Sequence, residues 1–280
     1  MNGARCSPGL IITADDFGLH DSVNRAVARA HREGVLAAAS LMVGAPAAAA
    51  AVACARACPG LRVGLHLVLA DGAPTLPARL IPDLVCADGR FGTRMGRDGV
   101  RFFFLPRVRR QLALEIRAQF EAFAATGLAL DHVNAHKHFH LHPTVLTLIL
   151  RIGSEFGLRA VRLPFEAGIP SWLRPWLLLL RARLRAAGVA HNDYIVGIGQ
   201  SGRFDEDAVL AALRRLPGDG VGELYLHPAL ESGAAIAASM PGYRHADEFA
   251  ALVSPRVRQA HDCLRARGFR FGGFSDLLAA

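Results

Sequence analysis

Carboxylates and imidazoles gather at four places in this sequence, and at each of them a strand-like run stops. Leu10-Ile11-Ile12-Thr13-Ala14 runs into Asp15-Asp16-Phe17-Gly18, and Arg62-Val63-Gly64-Leu65 runs into His66. Leu130–Asn134 precedes His136-Lys137-His138-Phe139-His140-Leu141-His142-Pro143, and Gly222–Leu226 ends at His227-Pro228. Neutral imidazoles with one carboxylate make an open metal site, in which three protein ligands leave a position for water. His136, His138, His140 and His142 alternate, so an extended chain would put them on one face. Not all four can ligate one ion, and spacing does not choose among them. Asp15 and Asp16, being adjacent, would face opposite ways along a strand. A turn at the strand end would bring both to one centre, one as ligand and the other as general base. Asp before Phe-Gly is also ordinary turn chemistry, and it is the company of His66 and His136 that favours the catalytic reading.

The elements that must position these residues follow a repeating pattern of strand, polar or Gly-marked loop, and helix. Strand-like runs lie at Leu10–Thr13, Ala39–Val43, Arg62–Leu69, Leu130–Asn134, Ala160–Leu163, Tyr194–Ile198, Gly222–Leu226 and Phe269–Phe274. Helical patterns lie at Ser22–Glu33, Ala47–Ala57, Val108–Thr126, Pro143–Phe156, Asp205–Leu216 and Asp247–Arg267. Such alternation builds βαβ units around a parallel sheet, whose active sites form at the carboxyl ends of the strands. Seven or eight mostly parallel strands in one domain, 1–280, point to an α/β fold of the irregular (β/α) TIM-like barrel type, with a doubly wound sheet as competitor. Residues 71–107, rich in Gly, Pro and Arg, read as a loop excursion over one mouth. Gly197-Ile198-Gly199-Gln200-Ser201-Gly202 matches a dinucleotide fingerprint, but it sits late in the chain and reads better as a loop. No G-x-S-x-G elbow is present.

Composition narrows the class. With 52% hydrophobic residues the chain is not disordered, and with five cysteines at irregular spacing it is not a disulfide scaffold. A net charge of +8 permits an anionic partner, yet no zinc-finger spacing or aromatic-interleaved basic strip supports nucleic acid. The start of the chain has no signal-peptide pattern, and the apolar stretch 35–55 is broken by Ser40, Gly44 and Pro46. The expectation is a soluble, cytoplasmic protein. Residues 171–187 are unusual, because both tryptophans, Leu177–Leu180 and four arginines crowd into Trp172–Arg185. They read either as a core helix with a wet arginine face or as an interfacial segment touching the inner membrane surface.

Taken together, Thr13-Ala14-Asp15-Asp16-Phe17-Gly18, Gly64-Leu65-His66, the His136–Pro143 run and Leu226-His227-Pro228 resemble the YdjC-like carbohydrate deacetylases. Arg162-Leu163-Pro164-Phe165 and the Trp/Leu/Arg segment look most like the hopanoid-associated HpnK branch. The resemblance implies one divalent metal held by Asp16, His66 and His136, with Asp15 as base and His227 as general acid. It implies Arg162 holding the base, and Arg162 and His140 as substrate-binding residues. Zinc suits two imidazoles and a carboxylate, with Mg, Mn and Ni as alternatives. The family often carries Asp-Ser where this chain has Asn134-Ala135, which touches the hydrogen bonding behind the ligands, and Lys137 replaces a histidine, so the family's third imidazole is not carried over. The implied reaction is removal of acetate from an acetamido sugar, lipid-linked if the hopanoid branch holds. The rivals are a chitooligosaccharide deacetylase, a metal-dependent isomerase or phosphoesterase on the same barrel, and a histidine-rich metal store.

Overall fold

The computed structural model describes residues 8–166, 170–230, 236 and 240–278. Seven parallel strands carry the chain: β1 (Gly9–Phe17), β2 (Ala38–Leu41), β3 (Arg62–Leu67), β4 (Val133–Ala135), β5 (Tyr194–Val196), β6 (Val221–Leu226) and β7 (Arg270–Phe271). They hydrogen-bond in the order β4-β3-β2-β1-β6-β5, with β7 on the first residues of β1. Between the outer strands β4 and β5 run two shorter extended pieces. They make isolated parallel bridges, Val133 to Val161 and Ala160 to Ala190, where a complete barrel would need another full ladder. The expected strand at Ala160–Leu163 is thus reduced to bridges, and the sheet is a curled one.

The helices are α1 (Asp21–Glu33), α2 (Ala48–Arg56), α3 (Met95–Phe104), α4 (Pro106–Ala125), α5 (Pro143–Gly153), α6 (Arg174–Ala186), α7 (Glu206–Arg214), α8 (His245–Val253), α9 (Pro255–Ala266) and the short α10 (Phe274–Leu277), most of them packed outside the curl and α10 closing its inside. Two departures from the sequence pattern have local causes. The long helix expected over Asp247–Arg267 is two, because Pro255 cannot donate into the preceding turn and Ser254 caps a fresh start by accepting from Arg256 and Val257. The excursion at 71–107 contains α3, and Glu115 of α4 pins its first part by accepting from the backbone of Thr75 and Leu76.

The curl separates two apolar cores. The larger lies between sheet and helices. The smaller lies inside the curl at the amino ends of the strands, where Ile11, Ala38, Ala160 and Val221 meet Phe274 and Leu277 of α10. Above that plug the interior turns polar: Thr13, Ser40, His132, Asn134, Arg162 and Glu223 are all fully buried. Among the described residues no helix is long and apolar enough to cross a membrane. Cys54, Cys58, Cys86 and Cys263 are free thiols, and Cys6 lies outside the described residues.

Candidate active site

The carboxyl ends of β1, β3, β4 and β6 converge on the polar top of the curl. At the end of β1 the pairing with β2 slips between Ala14 and Phe17, and Asp16 takes a left-handed backbone with φ of 61°. This conformation is costly for a residue other than glycine. It breaks the alternation that would have sent Asp15 and Asp16 to opposite faces, and both carboxylates end buried in one centre.

Asp16 Oδ1 lies 3.3 Å from His66 Nε2 and 3.1 Å from His136 Nδ1, and the two nitrogens are 3.4 Å apart. Two ligand atoms each about 2.1 Å from one ion stand about 3.0 Å apart at a right angle and about 3.4 Å at a tetrahedral one. The triangle therefore fits a single divalent ion. Asp16 Oδ2 is buried with no hydrogen-bond partner, as expected of a carboxylate built to receive a cation. Burial would lower the His66 pKa, but Asp15 and Asp16 outweigh it and raise it; the field that attracts a proton there equally attracts a metal. Among the described residues this is the one group of three such side chains that meets in this way.

Asp15 is held beside the triangle. Arg162 grips it bidentately at 2.5 and 2.9 Å, and Asn134 donates to it at 3.1 Å. The same guanidinium binds Glu223 at 2.9 and 2.7 Å, and Thr13 donates to Glu223 at 2.7 Å. Burial pushes the Asp15 carboxyl up, and Arg162, His66 and His227 more than reverse this, leaving it well below its ordinary range. Asp15, Asp16 and Glu223 thus face the one buried cation Arg162, a balance that a divalent ion would even out.

His227 follows β6 directly. Burial pushes it down to about 4, against the pull of Asp16 and Asp15, so the ring is neutral near pH 7. Its backbone N–H donates to Glu248 and its carbonyl receives His245, while Nδ1 has no hydrogen-bond partner and stands 3.8 Å from Glu248. Burial pushes Glu248 up to about 7.

The histidine run does not present one extended face. His136–Leu141 coils into 3-10 turns, with Lys137 and His138 both left-handed. His136 alone reaches the triangle. His138 meets the Tyr225 hydroxyl at 3.3 Å, and burial pushes its pKa down to about 3. His140 is buried edge-on against His138 with neither ring nitrogen hydrogen-bonded, and His142 packs edge-on against Phe102, Phe103 and Phe139. Lys137 turns outward to Asp71 at 3.3 Å.

Two lobes of space meet at His136 and Met240. One, of about 230 Å³, holds Asp15, His66, His138, Tyr225, His227 and Tyr243, with Ile198 and Ser201 from the glycine-marked loop. The other, of about 430 Å³, is more apolar and is walled by Leu19, Met42, Pro46, Val68 and Ile236, with Asp71 and Arg90 from the excursion. His140 and Arg162 line neither. Tyr225 and Tyr243 were not singled out from the sequence. Tyr225 carried a signal, because Glu223, Tyr225 and His227 alternate along β6 and so share its inner face.

The model of the family described as YdjC-like protein matches residues 9–262. The chain belongs to this family. A carbohydrate deacetylase of Brevibacillus brevis is 33% identical over 258 residues, covering 90% of this chain and 94% of the relative. Another, from Geobacillus stearothermophilus, is 31% identical, covering 88% and 90%. Among solved structures, a protein of Enterococcus faecalis V583 named for cellobiose-phosphate cleavage superposes with a TM-score of 0.77 at 24% identity, over 97% of this chain and 99% of that one. That likeness is one of fold, and it runs over nearly the whole chain.

Proposed function

We propose that this YdjC-like chain is a metal-dependent N-deacetylase that releases acetate from an acetamido sugar. The observation that carries the reading is the Asp16–His66–His136 triangle with Asp15 and His227 opening on the same small lobe. The relatives named as carbohydrate deacetylases support the same reaction. Asp16, His66 and His136 would hold the ion, and zinc suits two imidazoles with one carboxylate. A bound divalent ion supplies positive charge that polarises an amide carbonyl and acidifies water. Asp15, fixed by Arg162 and Asn134, takes a proton from the attacking water. Its lowered pKa keeps it ionised, and so able to accept, near neutral pH. His227, neutral at rest, takes up a proton as the water is deprotonated and gives it to the amine nitrogen as the amide C–N bond breaks, and the carboxylates of Asp15 and Asp16 favour its transient charge. Tyr225 and Tyr243 offer ring faces and hydroxyls to a sugar. Arg162 acts through Asp15 and not by touching substrate, and His140 is assigned to packing.

The substrate we favour carries its sugar on an apolar aglycone, as a hopanoid would. The larger lobe beside His136 is apolar enough to take such a group. The outer surface supports delivery from a membrane. In α6, Leu177, Leu180 and Leu184 enter the core, whereas Leu178 and Leu179 are each about half exposed and Trp172, in the turn just before the helix, is 76% exposed. Phe103 and Phe104 are exposed at the end of α3, and Arg109, Arg110 and Arg151 rim the groove beside Phe103. Exposed aromatic and aliphatic side chains among arginines suit an anionic membrane face, where each arginine contributes about 1 kcal/mol; we place the protein in the cytoplasm at the inner membrane surface. The test is acetate release from an N-acetylglucosaminyl lipid and from chitooligosaccharide, with and without chelator. Chelator-sensitive release from the lipid is expected. Release from chitooligosaccharide alone would move the substrate to the soluble class, and release from neither would remove the deacetylase reading.

A further inference from the structure

Beneath the triangle, a chain of hydrogen bonds runs down the inside of the curl from His66 to the plug. His66 Nδ1 faces Asn134 Oδ1 at 2.6 Å. Asn134 Nδ2 donates to Asp15 and, at 2.9 Å, to Ser40 Oγ. Ser40 Oγ meets His132 Nε2 at 2.9 Å, and His132 Nδ1 meets Asp131 Oδ2 at 2.9 Å. Asp131 is anchored by the start of α10, accepting from the backbone of Phe274 and Ser275 and from the Ser275 hydroxyl. Every member is buried.

With both rings neutral, the hydrogens along this chain have one consistent arrangement. A carboxylate only accepts, so the end of the Asn134 amide facing Asp15 is its NH₂. Ser40 therefore receives an N–H from Asn134, and its own hydrogen goes to its other neighbour, His132 Nε2. That makes Nδ1 the protonated nitrogen of His132, which donates to Asp131. At the upper end Asn134 offers only its carbonyl, so His66 carries its hydrogen on Nδ1. In the neutral ring its lone pair then sits on Nε2, the atom facing Asp16 and His136. The polar path is built into the packing. The His132 ring stacks on Phe274 at 4.4 Å, and a Cβ on Gly64 would fall 2.5 Å from the ring, so a side chain there would displace it.

We infer that Asp131, His132 and Ser40 are positioning residues which, through Asn134, fix which nitrogen of His66 is presented to a metal ion. The inference rests on the reading of Asp16, His66 and His136 as ligands and adds three residues to that site. Groups that orient ligating histidines from behind typically contribute 10–100-fold in metal affinity. The test is competition for Zn²⁺ between the metal-free protein and a chromogenic chelator. Ser40→Ala removes one oxygen; His132→Phe keeps the ring stacked on Phe274 and removes both nitrogens. Each variant should bind zinc about 10–100-fold more weakly. Melting of the metal-free proteins separates this from mere loosening, which would lower the melting temperature and leave the affinity alone. ¹⁵N-histidine spectra of the loaded parent should place the His66 hydrogen on Nδ1. Affinities within twofold of the parent, or a hydrogen on Nε2, would overturn the inference while leaving the ligands standing. A parent that takes up no zinc would overturn the ligand reading as well. If His132→Phe does not fold, Ser40→Ala decides.

Discussion

Replacing Arg162 by Met should turn the most tightly bound group of the interior into a source of instability whose pH dependence has a distinctive sign. The guanidinium is fully buried and makes four hydrogen bonds, two to Asp15 and two to Glu223. Methionine fills much of the volume but leaves two carboxylates inside the curl without their cation. Removing one partner of a buried ion pair costs about 3–5 kcal/mol, and that range is the expected loss at pH 7.5. In the parent, the Asp15 carboxyl lies well below its ordinary value of 3.8. Its contribution to stability is therefore whole above about pH 4 and drains only as the pH falls toward its folded value. In the variant, burial is no longer opposed by Arg162 and the carboxyl shifts upward. A group whose folded pKa is raised stabilises at low pH and loses that contribution as pH rises, so the slope reverses. Urea unfolding from pH 4.5 to 8, with chelator present throughout so that ion binding adds nothing, should show the parent nearly flat from this group and Arg162→Met gaining stability as pH drops. Turnover should fall about 10²–10⁴-fold, the contribution of a positioned general base. A loss below about 1 kcal/mol, or a variant whose stability does not change with pH, would refute the argument that Arg162 compensates buried charge.

Other expectations follow from the same geometry. His66→Ala should lose the ion by elemental analysis, and full occupancy would remove His66 from the ligand set. Asp15→Asn and His227→Ala should keep the ion yet lose about 10²–10⁴-fold in turnover each; near-normal acetate release by either would take that residue out of the mechanism. Changing Trp172, Leu178, Leu179, Phe103 and Phe104 together to Ser should abolish salt-sensitive binding to anionic liposomes with the melting temperature kept, because none of the five is buried. A parent that ignores such liposomes would end the membrane reading. Gly64→Ala should destabilise by about 1–3 kcal/mol, the usual cost of overpacking, as the new methyl meets His132; urea unfolding at the parent's level would show the ring free to move.

The strand ends were legible because parallel sheets are apolar along their length and their polar residues appear only where the chain leaves the ladder. That placed Asp15, Asp16, His66, His136 and His227 correctly at one end of the sheet. One feature was hidden by backbone conformation, which residue type signals weakly. Alternation in the histidine run suggested a shared face, but two consecutive left-handed residues, Lys137 and His138, scatter the rings and leave one to reach the triangle. The Trp172–Arg185 segment combined two signals in one stretch: helical spacing puts Leu177, Leu180 and Leu184 into the core and turns Leu178 and Leu179 outward.

The polar interior was the least legible part, for a reason that also bears on how the triangle is positioned. A curled sheet has an inner face too narrow for helices to cover, so its side chains meet one another across the curl. Thr13, Ser40, His132, Arg162 and Glu223 come from five separate segments, and none lies near another in the sequence. Read singly, each is an ordinary polar residue in or beside a strand. Read at period two, Thr13 and Asp15 on β1, His132, Asn134 and His136 along β4, and Glu223, Tyr225 and His227 from β6 mark one continuous inner face. The apolar plug made with α10 closes the bottom of that face, leaving the carboxyl ends of the strands as its way out. Buried polar groups there must pair with one another, and each pairing removes a choice of tautomer or rotamer from the residues above. On the positioning we infer, the triangle at the top rests on hydrogen bonds that begin at Asp131, at the closed end of that face and opposite the carboxyl ends of the strands.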